Sequence, residues 1–168
     1  MSTIRSTLAV VLAASLLAGC GETSLEELTS EAQTAFDQGD YEETCLICES
    51  AIARSKSEGA GAATSWRFEQ LDLLAHASLG KDGVTETLSR LSEEYASQAD
   101  DANLYVRLTK YLSEADNIGE AIEVLEAGKE RFPEMAPAFD AEGERLAALA
   151  EKSGDSAAIE KLKSLGYL

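Results

Sequence analysis

The chain has 168 residues with 14 Lys+Arg against 31 Asp+Glu, a formal net charge of −17, and an apolar share of 45%. That length supports one domain with a real core, and the sign of the charge excludes nucleic-acid binding, which needs basic surface. The single histidine, His76, excludes His-rich zinc sites and the His-Glu-x-x-His helix of metalloproteases.

The first element spans residues 8–17, LAVVLAASLL, apolar except for Ser15 and preceded by Arg5 as the only charged side chain. Ten residues rise only about 15 Å as a helix, roughly half a bilayer core, so this is the apolar region of an export signal and not a membrane span. Leu17-Ala18-Gly19-Cys20 follows. This stretch resembles the lipobox of bacterial lipoproteins at all four positions. The resemblance implies a signal peptide over residues 1–19, cleavage before Cys20, a diacylglycerol thioether on that cysteine and an acyl chain such as palmitate on the new amino group. Several chains together anchor a protein stably where one does not. Gly21 stands where an aspartate would mark inner-membrane retention, so the resemblance favours an outer-membrane protein facing the periplasm.

Trimming leaves 149 residues with 13 basic and 31 acidic side chains, net −18. So acidic a body is not drawn to anionic head groups, and membrane attachment rests on the acyl chains. Residues 20–23 form a short lipidated tether. A helical domain covers 24–168 and opens at Ser24-Leu25-Glu26-Glu27, which has the Ser-x-x-Glu form of a helix capping box.

Good helix formers dominate from there and few runs alternate with period two, so the expected class is all-α. Residues 28–52 read as a helix with Ala32 and Ala35, a turn QGDYEE, and a second helix with Thr44 and Ala51 at small positions. A Gly/Ala/Ser-rich stretch, SKSEGAGAATS over 55–65, is expected to be a loop. Residues 66–95 give a second pair with Leu71, Leu74, Thr87 and Leu91 as markers. The clearest pair is 103–133: Tyr105, Leu108 and Leu112 make one stripe, EADN a turn, and Ala121, Leu125 and Gly128 the next stripe before Pro133. Asn117-Ile118-Gly119-Glu120 reads as the capping box of that second helix. A last pair spans 138–165 around SGDSAA, and Gly166 ends it. Thr87 and Ala121 are 34 positions apart, whereas Thr44 and Thr87 are 43 apart.

These units resemble the tetratricopeptide repeat, strongly in the first and third and in outline in the others. The resemblance implies a short solenoid of about four antiparallel helix pairs that binds another protein or peptide in a groove lined by first helices. Carrying over the groove positions gives Thr29, Gln33 and Phe36 in the first unit, Asp72 and His76 in the second, and Val106, Lys110 and Ser113 in the third. Members that clamp a terminal carboxylate place Lys or Asn there, and Thr29, Gln33 and Asp72 depart from that. Phe36 is the expected apolar anchor for an extended peptide or partner helix.

Cys45 and Cys48 remain as a Cys-x-x-Cys pair on one helix face. Three readings stand: a reduced packing pair, an unreactive disulfide, or the active pair of a periplasmic thiol-disulfide oxidoreductase. Asp40-Tyr41-Glu42-Glu43 caps that helix ahead of Cys45, so the thiols lie past the first turn, where the dipole's help fades. Glu42, Glu43 and Glu49 oppose a thiolate. No Gly-x-Ser-x-Gly elbow, P-loop, GxGxxG or Cys-x-x-Cys-His is present. Asp116-Asn117-Ile118-Gly119 lacks the acidic spacing of a calcium loop. The expectation is therefore a lipid-anchored adaptor for an envelope protein or peptide, with no catalytic residue, no metal site and no cofactor beyond the lipid on Cys20.

Overall fold

In a computed structural model, residues 23–168 are described, and they form eight α-helices and one short 3-10 turn. The helices are α1 (Leu25–Asp37), α2 (Tyr41–Glu58), α3 (Ala62–Ser78), α4 (Val84–Glu94), α5 (Ala102–Glu114), α6 (Ile118–Arg131), α7 (Ala136–Ser153) and α8 (Ser156–Ser164), with the 3-10 turn at Pro133–Met135 before α7. The signal-peptide and lipidation readings, Cys20 included, lie outside the described residues. No helix among those described is long and apolar enough to cross a membrane.

Turn chemistry sets the helix boundaries. Ser24 Oγ accepts from the Glu27 amide at 3.2 Å while Glu27 accepts from the Ser24 amide at 2.7 Å, closing the expected capping box. Asp40 caps α2, Asn117 caps α6, and Asp155 caps α8 through the amides of Ala157 and Ala158. Gly59 and Gly154 end α2 and α7 in the left-handed region, and Gly166 adopts φ +86° just past α8. Arg54 on α2 donates to the Thr23 carbonyl, fixing the start of the domain to the second helix.

The stretch 55–65 is not the loop its composition implies. Helix α2 runs on to Glu58 and α3 begins at Ala62, leaving only residues 59–61 between them. The wider interval from Thr44 to Thr87 is thus taken up by two long helices of 18 and 17 residues. Burial holds them: Ser55 and Ser65 lie inside the α2–α3 contact with their hydroxyls 3.0 Å apart, and Lys56 meets Glu69 at 3.0 Å.

Each helix packs on the next in the pairs α1–α2, α2–α3, α3–α4, α5–α6, α6–α7 and α7–α8. The odd-numbered helices α1, α3, α5 and α7 also touch in succession, as do α4, α6 and α8. One continuous core results, with Phe68, Leu73, Leu88, Leu104, Leu108, Leu112, Ile122, Leu125, Phe139 and Leu146 among its fully buried side chains. At the closing end, Lys129 Nζ donates to Asp140 Oδ1 and to the Tyr167 hydroxyl, both at 2.7 Å. The Tyr167 ring covers Gly143, where a β-carbon would fall 2.2 Å from it.

Glu120 does not close the capping box expected at the start of α6. Its carboxylate instead accepts from the amides of Thr85 at 2.7 Å and Gly83 at 3.3 Å, capping the start of α4 from the neighbouring hairpin. Gly83 offers no side chain for that task. Burial pushes the Glu120 carboxyl up, but donation from Thr85 and Gly83 outweighs it and holds it below its ordinary value of 4.5. A group whose folded value is lowered stabilises above its unfolded value and loses that contribution as pH falls through the folded one. Glu120→Gln should therefore cost about 1 kcal/mol at neutral pH. The cost should shrink between about pH 5 and pH 3, as read from denaturant midpoints of the two proteins. An equal cost at both ends of that range would remove the cap from the account.

Candidate functional site

A cleft of about 790 Å³ lies between α1 and the start of α3. Leu25, Thr29 and Gln33 form one wall, and Gly61, Thr64 and Arg67 the other. A smaller cleft of about 150 Å³ adjoins it, lined by the same Thr29, Gln33 and Arg67 together with Gln70, Leu71 and Arg107 of α5. The two share one face of the odd-numbered helices. No ion pair to Arg67 or Arg107 is present among the described residues, so both guanidinium groups are available for oxygen ligands.

The expected groove residues separate into four places. Thr29 and Gln33 line the cleft as expected. Phe36 does not: it is 8% exposed, with its ring edge-on to Tyr41 at 5.3 Å and to Tyr111 at 5.9 Å. It ties α1 to α2 and α5 as core and offers no anchor to a ligand. Val106, Lys110 and Ser113 follow one another at i, i+4 and i+7 along α5, and the buried Ser113 hydroxyl accepts from Arg145 of α7 at 2.7 Å. Lys110 pairs loosely with Glu114 at 3.8 Å.

Asp72 and His76 lie on the far side of α3 from the cleft, roughly half a turn around from Arg67, Leu71 and Leu74. There they meet α2. The ligating atoms of Cys45, Asp72 and His76 all lie within 4.8 Å of one another. His76 Nδ1 is 3.2 Å from Asp72 Oδ2 and 3.0 Å from the Asp72 carbonyl oxygen. Contact with the Asp72 carboxylate holds the imidazole above its ordinary value, against the opposing effect of burial. Sequence reasoning missed this trio because its members fell into two groups, a cysteine pair and a groove. The one signal was Asp72 and His76 at i, i+4 on a single helix.

Cys45 and Cys48 are both buried free thiols. Burial first, then the Asp72 charge, pushes Cys45 up to about 11 and Cys48 up to about 12. A thiol near 11 holds roughly a hundredfold less thiolate at neutral pH than an ordinary cysteine, which is the reverse of what a disulfide oxidoreductase needs. Alkylation of the native chain by iodoacetamide near pH 8 should therefore leave both cysteines untouched over a time that fully labels them in guanidinium. The chain should also fail to accelerate reduction of insulin by dithiothreitol. Rapid native labelling of Cys45 would restore the redox reading.

No protein-family model, curated protein or solved structure matches this chain, so its geometry and sequence carry the functional reading.

Proposed function

We propose that this protein is a lipid-anchored adaptor of the bacterial cell envelope, held at Cys20 to the outer membrane and facing the periplasm. Its tetratricopeptide-like stack receives an extended segment of a partner protein in the cleft between α1, α3 and α5. The observation that carries the reading is the pair of adjoining clefts along α1, α3 and α5, which share Thr29, Gln33 and Arg67 and add Gln70 and Arg107 in the smaller one. The stacked-hairpin interpretation is supported by the order of contacts, in which α1, α3, α5 and α7 follow one another while α4, α6 and α8 do the same. Thr44 and Ala121, two of the small second-helix markers, are fully buried, as close helix approach requires.

The partner's chemistry follows from the cleft. Arg67 and Arg107 present planar donor forks suited to carbonyl and carboxylate oxygens, and Gln33 and Gln70 add amides that pair with an extended backbone. The acidic remainder of the surface disfavours broad contact with an acidic protein, which confines such recognition to the cleft. Capture from detergent-solubilised envelope, followed by mass spectrometry, tests this. Arg67→Glu with Arg107→Glu should reduce the recovered partner at least tenfold while helical circular dichroism stays intact. Undiminished recovery would place binding on another face.

A further inference from the structure

The trio of Cys45, Asp72 and His76 is not used by the adaptor reading, and its composition is that of a metal site. We propose that these three side chains form a binding site for a thiolate-seeking divalent cation, Zn²⁺, with the fourth position left to water.

Geometry is the first support. A tetrahedral zinc ion with nitrogen and oxygen ligands at about 2.0 Å sets those two atoms roughly 3.3 Å apart, and His76 Nδ1 already stands 3.2 Å from Asp72 Oδ2. The sulfur must close from within 4.8 Å to about 3.5 Å of the others, a movement within reach of side-chain rotation. The platform is firm, since Asp72 and His76 share one helix and Cys45 comes from α2, which packs along α3. Metal sites need this placement on packed elements.

An unmet polar atom is the second. Asp72 Oδ1 is buried and has no hydrogen-bond partner, a condition that costs free energy unless something else satisfies it. A cation gripped by both carboxylate oxygens, Oδ2 toward His76 and Oδ1 as well, would do so. A cavity of about 280 Å³ opens beside Asp72 and His76, bounded by Lys81, Asp82, Gly83, Val84 and Thr87, and gives room for a water ligand and a path for the ion.

Ligand chemistry selects the ion. A sulfur ligand disfavours Mg²⁺ and Ca²⁺, which take oxygen sets, while Cys, His and Asp together suit Zn²⁺. The step balances once two protons are counted: the Cys45 S–H bond breaks and its proton leaves to solvent, the Nδ1 proton that faces the Asp72 oxygens gives way so that His76 stands as the Nε2–H imidazole, and sulfur–metal and nitrogen–metal bonds form. Thiolate and carboxylate then neutralise the two charges of the ion. Lys81 stands at the rim as a competing cation with its head exposed.

The test uses the full chain, stripped with chelator and kept reduced. Equilibrium dialysis against buffered Zn²⁺ should give one ion per chain. Co²⁺ should give a thiolate charge-transfer band with the intense visible bands of tetrahedral coordination. Cys45→Ser, Asp72→Asn and His76→Gln should each weaken Zn²⁺ binding at least tenfold with the helical signal retained. Lys81→Ala should tighten it several-fold, whereas Cys48→Ala and Cys20→Ser should leave it near the parent value. Sub-stoichiometric zinc in the unsubstituted chain would overturn the proposal. So would loss of binding on changing Cys48 or Cys20, or binding indifferent to Cys45, Asp72 and His76.

Discussion

Gly128→Val is expected to destabilise the domain by about 3 kcal/mol, although valine is the better helix former. A β-carbon at Gly128 would fall 2.6 Å from Phe139 Cε1 and 3.1 Å from Tyr105 Cβ, at the meeting point of α5, α6 and α7. Phe139 is fully buried and cannot step aside without opening the core. Phe139→Ala alone should cost about 3–5 kcal/mol through the cavity it leaves. The double variant should cost clearly less than the sum, because the valine methyls enter the space the ring vacates. Denaturant midpoints of the four proteins measure this cycle. Strict additivity would mean that the two positions do not share one packing site.

Cys20→Ser is expected to abolish incorporation of labelled palmitate and to leave an uncleaved or mislocalised precursor. This follows from Leu17-Ala18-Gly19-Cys20 placed directly behind an apolar run too short to span a bilayer. With net charge −18 on residues 20–168, no basic surface substitutes for the lost chains, so any molecules freed of residues 1–19 should leave the membrane fraction. Label persisting on the serine variant would remove the anchor from the account.

The helix order was legible because its punctuation is local. Ser24, Asp40 and Asn117 announce helix starts whatever the tertiary context, and Gly166 announces a stop. The stripe of Tyr105, Leu108 and Leu112 is buried as its spacing requires. Composition misled at residues 55–65, where small polar residues that resemble loop sequence are the ones that let α2 and α3 approach closely. Features that depend on rotation between helices were not legible. The phase of α3 decides that Arg67 and Gln70 face the cleft while Asp72 and His76 face α2, and nothing local sets that phase. Phe36 was misplaced for the same reason, since its burial depends on Tyr111 arriving from 75 positions away. Glu120 reads as a local cap until the neighbouring hairpin presents the bare amides of Gly83 and Thr85.

Site-specific photocrosslinking in intact cells tests the adaptor claim most directly. A photoreactive residue at Gln33 or Gln70 in the cleft should give one discrete higher-mass adduct, and the same residue at the exposed Lys152 near the end of α7 should give none. Adducts from Lys152 with none from Gln33 or Gln70 would contradict the cleft as the partner's seat.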